Sequence, residues 1–109
     1  MREIKAIFRR ERLSDVLGAL HARPELPGVT ISYVDGIGRT PGGDGGSAQF
    51  GEVQMAKLET VVAADLADWV VNAIQTAAFT GRGGDGKIFV IRVEEAIKIR
   101  SGEKGPAVL

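Results

Sequence analysis

Glycine is distributed along this chain in a way that few folds accommodate. Of its 15 glycines, seven lie between Gly36 and Gly51 and four between Gly81 and Gly86. Tracts this rich in glycine neither fill a core nor hold a ladder, because the residue has no side chain to pack and loses the most backbone entropy on ordering. The core must therefore come from the patterned segments outside them. Glu3–Phe8 sets Ile4, Ala6 and Phe8 against Glu3, Lys5 and Ile7, which predicts a strand. Leu13, Val16, Leu17 and Leu20 recur at helical spacing and are stopped by Pro24 and Pro27-Gly28. Val29–Val34 alternates with β-branched residues and predicts a second strand. Gly36–Gly51 reads as a loop, long enough for a compact domain to be functional or mobile.

The second half repeats the pattern without repeating the sequence. Gln54–Val62 predicts a strand, and Asp65 can cap a helix with Leu66, Trp69, Val70, Ala73, Ile74 and Ala77 on its apolar stripe. Lys87–Val93 predicts a last strand with Ile88-Phe89-Val90-Ile91 as a buried run, and the tail from Ser101 to Leu109 reads as loose. The order β-α-β, loop, β-α-β is the split βαβ or ferredoxin-like plan, an α+β antiparallel sheet with both helices on one face. Phe8 and Ile7 are apolar on opposite sides of the first strand, as are Leu58 and Val61 on the third. A sheet apolar on both faces must bury the second, which predicts a homo-oligomer.

Composition excludes several chemistries. The 109 residues make one domain's worth of chain. Zero cysteine excludes thiol nucleophiles, disulfides and thiolate metal sites, and a single histidine, His21, excludes multi-histidine zinc sites. Fourteen basic residues balance 14 acidic ones, so no surplus exists for neutralising nucleic-acid phosphates. No apolar run approaches the ~18 residues that span a bilayer. The opening Met1-Arg2-Glu3-Ile4-Lys5 is not a signal peptide, so the expected address is the cytoplasm. No catalytic set is visible. His21 suits the end of the first helix, Trp69 the core, and Glu94-Glu95 a turn.

Two segments suit an anion. Thr80-Gly81-Arg82-Gly83-Gly84-Asp85-Gly86-Lys87 spells G-x-G-x-x-G and also a P-loop short of its last residue. Dinucleotide and P-loop sites both need a strand before the glycines and a helix after them. Here a helix precedes and a strand succeeds the glycines, and the final P-loop position is Ile88, without a hydroxyl for magnesium. The loop is neither of these, yet its backbone N–H groups can still converge on an anion beside Lys87. A plain helix-to-strand turn accounts for the same residues equally well. In an extended Lys98-Ile99-Arg100, both cations would face one way, a spacing suited to a di- or triphosphate. Taken alone, a solvated edge is the simpler account of that pair.

Three tracts together resemble the PII nitrogen-regulatory signal proteins. They are Thr80–Val90, Ile97-Lys98-Ile99-Arg100-Ser101-Gly102-Glu103 and Val34-Asp35-Gly36-Ile37-Gly38-Arg39, in the family's order and spacing along nearly the whole chain. The resemblance implies one domain over 1–109, with a T-loop at about 37–52, a B-loop at about 80–87 and a C-terminal loop at about 98–109. It implies a trimer binding ATP or ADP, and in this chain AMP as a further candidate, in clefts between subunits. Its long loop would dock on an enzyme, regulator or transporter. Matched by position, Gly84, Asp85, Gly86 and Lys87 would hold phosphates and ribose, and Lys98 and Arg100 would reach the phosphates from the neighbouring subunit. Ile7, Gly36, Val61 and Thr80 would border the adenine, and Arg39 would lie near the phosphates.

The chain departs from the family in its long loop, which is shorter than usual and lacks the modified tyrosine. Its only tyrosine is Tyr33, in a strand, and Ser47 is the candidate modification site instead. The glutamine after the loop's Gly-Arg is Thr40. The lysine that pairs with 2-oxoglutarate is Met55, with Lys57 retained. These losses count against magnesium-dependent 2-oxoglutarate sensing and against the usual ammonium-transporter and uridylyltransferase partners. A divergent subgroup serving another transporter, such as a metal-efflux pump, is expected. Two alternatives keep the fold: a slow ATP hydrolase in the same cleft, or a small-molecule or metal-binding trimer similar to the divalent-cation tolerance proteins. The near-complete glycine-lysine loop argues against the latter.

Overall fold

The computed structural model describes the backbone of residues 1–40 and 49–109 and the side chains of residues 1–38 and 53–109. Its elements are β1 (Arg2–Arg9), a 3-10 turn (Arg10–Arg12), α1 (Leu13–Leu20), β2 (Thr30–Thr40) and β3 (Gln49–Val62). Next come a second 3-10 turn (Ala64–Leu66), α2 (Ala67–Ala78), β4 (Gly86–Arg92) and a last 3-10 turn (Pro106–Val108). The sheet order is β2-β3-β1-β4 with every neighbouring pair antiparallel. This is the ferredoxin-like arrangement that the doubled β-α-β pattern predicts.

Period-two alternation positions the core. Ile4, Ala6 and Phe8 point to one face of β1 and are buried with Ala56, Leu58 and Val62 of β3. Val16 and Leu20 of α1 and Val70 and Ile74 of α2 complete the cluster. The register sets Ala6 between Leu58 and Ile88, so three strands present apolar groups at one level. Thr60 is the buried polar residue of this face, and its hydroxyl donates to the Gly28 carbonyl at 3.1 Å, tying the α1–β2 connection to β3.

Several expectations are corrected. Gly36–Thr40 and Gln49–Gly51, read as loop, are paired strand: the ladder runs on from Gly36↔Val53 to Thr40↔Gln49. Glycine weakens a strand but does not forbid one where a partner's amides and carbonyls are already aligned. The Ile88–Ile91 run is not a buried one in the single subunit. Ile88 is half-buried, while Phe89, Val90 and Ile91 are 46%, 51% and 42% exposed, because β4 is an edge strand. Asp65 caps nothing. It lies inside the 3-10 turn, whose preceding residue is Ala63. Leu17 leaves the α1 stripe and is exposed, and Trp69 is only half-buried, with the Arg23 guanidinium 5.0 Å from its ring centre. The tail is not loose: Ile97 bridges Lys104, and Pro106–Val108 forms a turn of helix. The expected modification site, Ser47, lies outside the described residues.

Among the described residues no helix is long and apolar enough to cross a membrane. The sheet face away from the helices carries Glu3, Lys5 and Ile7 beside Lys57, Glu59 and Val61, all half-buried, with Phe89 and Ile91 exposed at its edge.

Candidate anion-binding loop

The loop begins where α2 runs out of partners for its last carbonyls. Arg12 supplies a partner for one of them: its Nε and Nη2 both donate to the Ala77 carbonyl, at 2.9 and 2.7 Å. A cation there also meets the negative end of the helix dipole. Phe79 then leaves in an extended conformation.

Asp85 sets the shape of residues 80–85. Its carboxylate accepts the Thr80 N–H at 2.8 Å, the Gly81 N–H at 3.0 Å, the Thr80 hydroxyl, and the Arg9 Nε at 3.0 Å. Arg9 Nη2 also donates to the Gly83 carbonyl at 2.5 Å. One carboxylate thus closes the loop on itself, and one guanidinium fastens it to the end of β1. Arg82 pairs with Glu11 at 2.5 Å, but both side chains are about three-fifths exposed, where such a pair contributes little.

Donation from the Thr80 hydroxyl and backbone, then from Arg9 and the Gly81 amide, holds the Asp85 carboxyl well below the usual aspartate range, against the opposing effect of partial burial. A depressed folded pKa gives a stabilisation that is complete above the unfolded value of about 3.9 and is lost as pH falls below it toward the folded value. Asp85→Asn is therefore expected to be less stable than the wild type at neutral pH, with the gap narrowing below about pH 4. Denaturant midpoints of both proteins across that range check this. A gap that does not change with pH would mean the carboxylate's charge does not hold the loop.

The loop enters β4 at a point of close approach. Gly86 has φ +112°, and a Cβ there would lie 1.8 Å from the Ile7 carbonyl oxygen. The next residue, Lys87, sits directly opposite Ile7 in the ladder and is exposed. Among the described residues it makes no ion pair. A cavity of about 400 Å³ opens beside this junction, and Ile7, Phe79, Asp85, Gly86 and Lys87 are among its lining residues. A cation and apolar side chains in one place, beside a glycine loop, suit an anion attached to a flat apolar group.

Of the residues singled out in the sequence, the subunit gathers Ile7, Thr80, Gly84, Asp85, Gly86 and Lys87 at this junction. It does not gather the others. Val61 faces Glu3, four residues along β1 from Ile7, and Gly36 faces Val53 on the far pair of strands. The side chain of Arg39 lies outside those described. Lys98 and Arg100 are not in an extended segment. The Lys98 N–H donates to the Glu103 carbonyl and the Gly102 N–H to the Lys98 carbonyl, so 98–102 is a turn, and Ile99 at its tip is fully exposed. No hydrogen bond or ion pair among the described residues joins this turn to the glycine loop. Sequence reasoning missed Arg9 and Arg12. The signal was available as four consecutive charged residues, Arg9–Arg12, between a strand and a helix.

The subunit is thus a ferredoxin-like sheet with a glycine-lysine loop between α2 and β4. The comparisons with known proteins place it in a family. The family model described as nitrogen regulatory protein P-II matches residues 1–103. A nitrogen regulatory protein P-II of Azospirillum brasilense is 40% identical over 109 residues, covering 96% of each chain. That of Rhodospirillum rubrum is 41% identical with the same coverage. A P-II homolog of Arabidopsis thaliana is 40% identical over 94% of this chain and 55% of its own length. The chain belongs to the P-II family of nitrogen regulatory proteins and has a signal-transducing, regulatory role rather than a catalytic one.

Proposed function

We propose that the protein is a P-II-type regulator that binds ATP or ADP at the glycine loop and acts on a partner protein through the segment 37–52. The observation that carries this is the loop itself, fastened by Asp85 and Arg9, with Lys87 exposed across the ladder from Ile7. Phosphates fit Lys87 and the glycine-rich backbone of 83–86, whereas the Thr80 and Gly81 amides are taken by Asp85, and an adenine fits the apolar side chains beside them. Asp85 contributes by setting the loop's shape.

The site is completed by a neighbouring copy in a homotrimer, which brings Lys98 and Arg100 to the phosphates. Two features support this. The turn that carries these cations is exposed and apart from the loop of its own subunit, and Phe89, Val90 and Ile91 leave an apolar edge beside that loop. Met55, at the position of the family's 2-oxoglutarate lysine, is a buried apolar side chain with its Cγ 3.2 Å from the place a Gly36 Cβ would take. That packing favours a sensor of nucleotide alone.

Calorimetry tests the reading. ATP and ADP are expected to give saturable heats and to bind more tightly than AMP, because the cations serve the distal phosphates. Adding 2-oxoglutarate with magnesium is expected to leave ATP affinity unchanged. Absence of a saturable heat with both ATP and ADP would overturn the proposal.

A further inference from the structure

The turn between β1 and α1 holds two parts of the molecule that lie on opposite sides of β1 in the sheet. Arg9 holds Asp85 and the Gly83 carbonyl, and Glu11 and Arg12 hold Arg82 and the Ala77 carbonyl, all on the glycine-loop side. Arg10 turns the other way. Its Nη1 donates to the Gln54 side chain at 3.0 Å, and its guanidinium lies 4.0 Å from the centre of the Tyr33 ring. Tyr33 belongs to β2 and Gln54 to β3, at the base of the two arms that run on to Thr40 and from Gln49. Arg10 therefore staples the arms together at their root, next in sequence to the residue that anchors the glycine loop.

We propose that Arg9–Arg12 is a coupling turn, in which Arg10 positions the β2–β3 arms according to how Arg9 and Asp85 hold the glycine loop. This deepens the functional reading above and rests on it only for the nature of the signal. The geometry gives the reason. Arg9 and Arg10 share one peptide unit. A guanidinium released from Asp85 leaves the turn held by Arg12, by the exposed Glu11–Arg82 pair and by the Arg9–Met55 ladder position. A tilt about those holds moves the Arg10 fork relative to Tyr33 and Gln54. The Arg9–Asp85 pair is the firm end, at 17% and 23% side-chain exposure. The Tyr33 stack is the compliant end, because a cation can slide over a ring face.

The test is a double-mutant cycle read by hydrogen exchange on nucleotide-free protein, with wild type, Asp85→Asn, Arg10→Ala and the double variant. Asp85→Asn is expected to speed exchange of the amides of 34–38 and 53–55 by about tenfold, within the usual range of coupling between sites. In the Arg10→Ala background the same change is expected to have no further effect on those amides. Arg9→Gln gives the loop-side perturbation should Asp85→Asn not fold. An effect confined to 79–87, or an equal effect in both backgrounds, overturns the coupling. The cycle needs no nucleotide, so its result is separate from whether ATP binds.

Discussion

Gly86→Ala is expected to lower the melting temperature by roughly 10–25 °C, the conversion of a loss of about 2–6 kcal/mol at about 4 °C per kcal/mol in a domain of this size. Two costs add. The residue holds φ +112°, which an L side chain adopts at about 1–3 kcal/mol. Its Cβ would also stand 1.8 Å from the Ile7 carbonyl oxygen, 2.8 Å from the carbonyl carbon and 2.9 Å from the Phe8 Cα. Those atoms are backbone of the central strand, so relief means separating β1 from β4, at a further cost of about 1–3 kcal/mol or more. Against a total stability of about 5–15 kcal/mol, the variant is marginal. Gly18→Ala is the control with the opposite sign. Gly18 lies within α1 with open space around it, and alanine there is expected to stabilise by about 0.5–1 kcal/mol. Thermal melts at one fixed protomer concentration compare the two. A Gly86→Ala melt within a few degrees of wild type would mean that β1 and β4 separate freely at the loop.

The sheet was largely legible from alternation. Ile4, Ala6 and Phe8 against Glu3, Lys5 and Ile7 carry a period of two, and the structure buries the first set. The doubled β-α-β order then leaves few topologies, because crossover handedness and short connections remove the rest. What alternation cannot supply is the identity of a strand's neighbours. The run Ile88–Ile91 reads the same in a central strand as on an edge, and here it is an edge. Gly36, Gly38 and Gly51 argue for loop by propensity, but their strands pair residue for residue up to Thr40↔Gln49, and pairing overrides the local preference.

The site was legible in part for the same reason. Its glycines and Lys87 stand together in sequence, and the helix before and strand after them, which rule out a P-loop, are as expected. The family resemblance makes Asp85 a ligand contact; the structure adds that its carboxylate is also held by Arg9, 76 residues away. Local spacing gives no access to such a contact. The spacing of Lys98 and Arg100 suits one side of an extended segment, whereas a turn closed by backbone hydrogen bonds carries them.

Lys87→Ala and Arg100→Ala are each expected to weaken ATP binding by about 10- to 150-fold while leaving the oligomer intact. On the proposed reading, each removes a charge-assisted contact to phosphate worth about 1.5–3 kcal/mol. The preference for ATP over AMP is expected to shrink in both, because the lost contacts are to distal phosphates. Both side chains are exposed in the single subunit, so neither substitution opens a cavity in the core. Calorimetry gives the affinities, and sedimentation checks the assembly. Wild-type affinity in both variants would remove the proposed nucleotide site.

The central claim is that one site is built from two copies of the chain, with Lys87 from one and Arg100 from the next. Mixing the two variants tests it most directly. In a cyclic trimer, every particle containing both variants has one cleft that joins an intact Lys87 to an intact Arg100. With equal amounts and free exchange, about one cleft in four is of this kind. An ATP titration of the mixture, with subunit exchange verified independently by mass, is expected to show a tight-binding fraction of about that size that neither variant shows alone. A mixture that binds ATP only as weakly as its components, once exchange is verified, would contradict a site shared between neighbouring subunits.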